Sequence, residues 1–79
     1  MGKKEKLLQK ALNNPNGLSF KEFETLLGNF GWIFDRQAGS HKIYYSACST
    51  RLPIQNRKGK AKGYQVKQFI KIIQGGNDE

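Results

Sequence analysis

The stretch GWIFDRQAGSHKIYYSACSTRLPIQ, Gly31 to Gln55, decides the fold. Before Gly31 the apolar residues recur at helical spacing; from Trp32 they do not. Trp32-Ile33-Phe34 is aromatic and β-branched, which favours a strand. Ala38-Gly39-Ser40 supplies a turn. His41 to Ser46, with Ile43, Tyr44 and Tyr45, reads as a second strand. Ala47, Cys48 and Ser49 lead to a third, Thr50 to Gln55. Pro53 has no N–H to donate, so that strand lies at a sheet edge or pairs on one side only. Three strands joined this tightly form an antiparallel meander. Trp32 and Phe34 share a face and are expected in the core. Tyr44 and Tyr45 point to opposite faces, so one is core and the other covers apolar surface or stacks on a base.

Helical patterns flank the meander. Lys3 to Leu12 places Leu7, Leu8, Ala11 and Leu12 on one side. The cluster Asn13-Asn14-Pro15-Asn16-Gly17 is a turn. Ser19 followed by Glu22 is a capping box, opening a helix with Phe20, Phe23, Leu27 and Phe30 at helical spacing and Gly31 as its C-terminal cap. After the third strand, Arg57-Lys58-Gly59-Lys60-Ala61-Lys62-Gly63 reads as a basic loop. Tyr64 to Gln74 is a last helix with the stripe Val66, Phe69, Ile70 and Ile73; Gly75-Gly76 stops it. The apolar stripes need a sheet face to cover. The expected fold is therefore α+β: a three-stranded antiparallel meander with helices on one face. The chain divides into an extension (residues 1–17), a main domain (18–76) and a frayed tail (77–79).

The whole chain narrows the function. Its 79 residues are enough for one small domain. Cys48, the only cysteine, forms no disulfide within the chain and fits a reducing, cytoplasmic compartment. With one histidine and no Cys-rich or carboxylate cluster, neither a metal site nor a cofactor is expected. No apolar run is long enough to span a bilayer, and the N-terminus lacks a signal-peptide core. The net charge is +8, and no acid occurs between Arg36 and Asn77. That span carries Arg36, Lys42, Arg51, Arg57, Lys58, Lys60, Lys62, Lys67 and Lys71. A field of one sign attracts a polyanion, and nucleic acid is the favoured partner over an acidic protein or a membrane surface.

The lone His41 sits inside this field, after the turn Gly39-Ser40, where the backbone leaves room for a ligand. Arg36 and Lys42 are near in sequence, and Arg51 is expected nearby on the adjoining strand. Lys58, Lys60 and Lys62, just before a helix, are expected to hold phosphates. One reaction suits a basic site with one histidine and no metal. In RNA the 2′-OH already stands beside the phosphate, so the protein need supply only a base, cations for the phosphorane and a proton for the leaving oxygen. The residues leave two readings open: a ribonuclease using His41, or a non-catalytic RNA-binding module of the double-stranded-RNA-binding type.

The run Gly31-Trp32, then Arg36-Gln37-Ala38-Gly39-Ser40-His41-Lys42-Ile43-Tyr44, with Pro53 in the third strand and Gly59 to Ile73 closing the chain, resembles the HicA-type toxins of bacterial toxin–antitoxin pairs. The resemblance covers roughly the last three-quarters of the chain. It implies a fold like a double-stranded-RNA-binding domain, α-β-β-β-α, here with an extra N-terminal helix. It implies a metal-independent endoribonuclease acting on mRNA, with its active histidine at His41 and the adjacent glycine at Gly39. It also implies a partner, a HicB-type antitoxin that covers this site. Two departures are plain: the helix before Ser19, which could pack on the domain or meet the antitoxin, and the absence of a His-Pro pair between Ala47 and Thr50.

Overall fold

A computed structural model describes residues 2–75, except the Lys3 side chain. The expected tail, 77–79, lies outside the described residues. Helix α1 is Lys3–Asn13, and a 3-10 turn, Pro15–Gly17, leads to α2, Phe20–Asn29. Four strands follow: β1 (Ile33–Ala38), β2 (His41–Tyr45), β3 (Arg51–Arg57) and β4 (Lys60–Ala61); helix α3, Gly63–Ile73, closes the chain. The sheet is antiparallel with strand order β1-β2-β3-β4. The α+β meander under helices is thus present, with one strand more than the sequence suggested.

The start and stop of α2 follow from local chemistry. The Ser19 hydroxyl accepts from the Glu22 N–H and the Glu22 carboxylate accepts from the Ser19 N–H, both at 3.0 Å. At the other end Gly31 takes φ +81°. Its N–H donates to Gly28 and that of Trp32 to Leu27, the paired bonds of a Schellman cap. This cap turns the chain from helix to strand and drops Trp32, 5% exposed, into the core. Phe69 of α3 stands edge-on to Phe23, Phe30 and Trp32 at 5.6–5.9 Å. Leu52, Ile54, Tyr44 and Val66 complete the core, and Ala11 of α1 is fully buried in it. The N-terminal helix therefore packs on the domain, through Ala11 with Leu7 and Leu8.

Phe34 departs from its expected burial. It lies on the helix side of the sheet, opposite Tyr44, but is 46% exposed. The reason is position: β1 is an edge strand, and all six of its residues are exposed. A bulge at Asp35 shifts the register between Phe34 and Arg36, so these two residues face opposite sides.

The basic loop is also corrected. Lys58 and Gly59 both have positive φ (53° and 84°) and join β3 to β4 as a tight hairpin. The Asn56 side chain accepts from the Gly59 N–H at 2.7 Å. On its outer side the hairpin is held by Phe20 N–H to Gly59 and by Ala61 N–H to Leu18. Three bonds, one to a side chain and two between backbones, thus replace the freedom expected of a loop. Beside Pro53, β4 is absent, for it reaches back only to Asn56. Pro53 consequently pairs with β2 alone, as its missing N–H requires.

Candidate RNA-cleaving site

Register determines which side chains can meet. His41 pairs with Ala38 on β1 and Gln55 on β3. Paired residues share a sheet face, and alternate residues along a strand share it too. Lys42 and Tyr44 belong to the helix side, because both reach Glu24 of α2. His41, Ile43 and Tyr45 therefore lie on the other side, which no helix covers. On that open face Ala38 is small and leaves room beside the half-buried His41. Arg36, paired with Ile43, is the diagonal neighbour of His41, within reach of a long side chain. It is exposed, and its guanidinium lies 3.7 Å from the Asp35 carboxylate.

The turn before His41 is built for close approach. Gly39 has φ +63°, which a two-residue hairpin of type II′ requires at its first position. The Gln37 amide donates to the Gly39 carbonyl at 3.1 Å, and the Gln55 amide donates to the Ser40 hydroxyl at 3.2 Å. Gly39, Ser40 and His41 thus form one ordered corner, tied across to β3.

Two residues expected beside His41 are elsewhere. Lys42 points to the opposite face, where its ammonium pairs with Glu24 at 3.0 Å and lies over the rings of Phe20 and Phe34. The stretch without acids is therefore not without acidic contact: α2 supplies a carboxylate from outside it. Arg51 shares the open face but pairs with Tyr45, four residues along β2 from His41, about 13 Å away at strand spacing. The length of the β2–β3 turn sets that register. The residue that does stand beside His41 is Gln55, whose type gave no sequence signal.

Lys58, Lys60 and Lys62 cluster on and after the β3–β4 hairpin. That hairpin lies at the same end of the sheet as the β1–β2 turn, since Gln55, opposite His41, is only two residues from Arg57. Here Arg57, Lys58, Lys60 and Lys62 line a cleft of about 580 Å³, with Asn16 and Tyr64. The first N–H groups of α3 open into it without a capping side chain, an arrangement that favours anions. Lys62 lies over the Tyr64 ring at 5.8 Å. Asn16 packs so tightly against Gly63 that a side chain there would collide with it, so the segment after α1 forms one wall of the cleft. Among the described residues no three His, Cys, Asp or Glu side chains converge, and no helix is long and apolar enough to cross a membrane.

Residues 20–74, with the corner, the hairpin and both flanking helices, match the family model of the HicA toxin of bacterial toxin-antitoxin systems. The chain belongs to the HicA toxin family. No curated protein and no solved structure matches it significantly. Membership makes this HicA-type chain the toxin of a toxin–antitoxin pair and implies an antitoxin as its partner. The matched span includes His41 and the hairpin but neither α1 nor Asn16.

Proposed function

We propose that this HicA-type chain is an endoribonuclease toxin that cleaves mRNA, with His41 as its proton-transfer group. One observation carries the reading. The only histidine stands on the open face of the sheet, at the end where Arg36 and the cationic hairpin can gather a phosphodiester. The substrate supplies the nucleophile. The imidazole takes the 2′-OH proton as the 2′ oxygen attacks phosphorus, and the P–O5′ bond breaks as the 5′ oxygen takes up a proton. The products are a 2′,3′-cyclic phosphate and a free 5′-hydroxyl. Arg36, diagonal to His41 on the open face, meets the charge that builds on the phosphorane oxygens, and Lys58, Lys60 and Lys62 hold the flanking backbone. These steps require no metal. The antitoxin, of HicB type on this reading, neutralises the toxin by covering the same face in the cytoplasm.

The test uses pure protein, single-stranded RNA and EDTA, with His41→Ala in parallel. Cleavage to cyclic-phosphate ends by the unmodified chain is expected, with a loss of at least about 100-fold in the variant. Intact RNA in both reactions would leave a non-catalytic RNA-binding module. Equal cleavage in both would retain the enzyme and remove His41 from the chemistry.

A further inference from the structure

The residue beside His41, the half-buried Gln55, is fixed at its backbone by a side chain from α3. Gln65, in the first turn of α3, is 3% exposed. Its side-chain carbonyl accepts the backbone N–H of Gln55 at 2.9 Å. It takes the place of the strand partner that β4 is too short to provide. The same bond shows which way the backbone of Gln55 points. Its N–H faces α3 rather than β2, so His41 and Gln55 form a non-hydrogen-bonded pair. In an antiparallel sheet such pairs bring side chains closest, with Cα atoms about 4.5 Å apart. Residue 55 is therefore held from both sides, with its side chain next to the imidazole on the open face.

That side chain is an amide with two N–H donors. One of them meets Ser40 at 3.2 Å. The second has no partner among the described residues, and it belongs to a half-buried group at the end of the sheet where the cations gather. We infer that Gln55 is a substrate-contacting residue, donating this N–H to the RNA phosphate on which His41 acts. The inference rests on the ribonuclease reading for that last clause. The contact itself rests on register and on the free donor. An amide suits the position because it donates without adding charge. It can hold the ground-state phosphate in line while Arg36 answers the charge that develops later.

A purely structural role for Gln55, bracing Ser40 and the turn, makes the opposite prediction for one variant. Gln55→Glu keeps an acceptor for the Ser40 hydroxyl, so it would restore the brace that Gln55→Ala removes. It also sets a carboxylate against phosphate. Neither change touches the lock to Gln65, which uses only the backbone of residue 55, so both variants should unfold close to the unmodified chain. Affinity for a fluorescent single-stranded ribo-oligonucleotide is measured in a His41→Ala background, where the RNA stays intact, and cleavage in the active background. Expected is a roughly fivefold to tenfold loss of affinity for Q55A, the worth of about one hydrogen bond. Q55E should lose more than Q55A in both assays. Q55E matching or exceeding Q55A would overturn the contact, as would wild-type affinity in both. No cleavage by the unmodified chain, with the same order of affinities, would overturn the ribonuclease reading and leave the contact standing.

Discussion

Lys42 shows how a single residue can mislead and inform together. Its neighbours in the chain suggested phosphate binding, yet its partner, Glu24, lies 18 residues away on α2. A sequence shows charge along the chain, whereas pairing depends on which face a strand presents. The same carboxylate accepts the Tyr44 hydroxyl at 2.8 Å, so Lys42, Glu24 and Tyr44 form one half-buried cluster joining sheet to helix. Burial, and then the hydrogen bond to Glu24, push the Tyr44 pKa well above its ordinary value. The phenol is therefore un-ionised in the fold at pH values where it ionises in the unfolded chain. The resulting stability is fully present below the unfolded pKa, about 10, and is lost as pH rises above it. Tyr44→Phe should cost about 1.5 kcal/mol near pH 8, because a bond to a charged acceptor goes. Above pH 10 the gap to the unmodified chain should narrow. Urea midpoints of both chains from pH 8 to pH 11 measure this; a gap that stays constant would mean that the phenol is not held protonated by the fold.

Elements were the most legible part of the sequence, and the reason is local chemistry. The Ser19–Glu22 box, the glycine ending α2 and the Gly-Ser turn each act within a few residues, and each stands where the sequence indicated. What escaped was non-local. A two-residue β4 is too short to show alternation, and it exists because Leu18 and Phe20, some 40 positions earlier, bond to its hairpin. Gln55 escaped because its significance comes wholly from register with His41. Phe34 read as core because alternation reveals the face but not whether a helix extends over it. Local chemistry also gives the glycines within and just beyond α2, Gly28 and Gly31, opposite roles. Gly28 lies within the helix, and a methyl group there meets nothing within 4 Å. Gly28→Ala should stabilise by about 0.5–1 kcal/mol. Gly31 sits three residues on at φ +81°, where Gly31→Ala should destabilise by about 1 kcal/mol or more. Thermal unfolding should move up for the first variant and down for the second, by about 4–8 °C per kcal/mol in a domain of this size. Equal shifts would show that the cap is not what ends α2.

The whole molecule is polar from end to end in a way its net charge of +8 does not reveal. One end of the sheet carries the β1–β2 corner, the cationic hairpin and the open N-terminus of α3. The other carries the β2–β3 turn and a cleft with Trp32, Cys48, Ile72 and Lys71. A field spread evenly over the surface would make every lysine equivalent to RNA. On the proposed ribonuclease reading, a field concentrated at one end would make some lysines phosphate contacts and others bystanders, and salt dependence separates the two. Each phosphate neutralised on a single strand contributes about 0.7 to the slope of log affinity against log salt. In a His41→Ala background, which keeps the RNA whole, Lys58→Ala with Lys60→Ala should lower that slope by about 1.4. Lys71→Ala should leave it unchanged, although the net charge falls in either case. Fluorescence anisotropy between 50 and 300 mM salt, roughly the range over which counterion release is readable, reports both slopes. A slope that fell with charge alone, whichever lysine was removed, would return the molecule to an unpolarised basic surface. The hairpin would then lose its claim to the RNA backbone, because its lysines would contribute nothing beyond their share of the net charge.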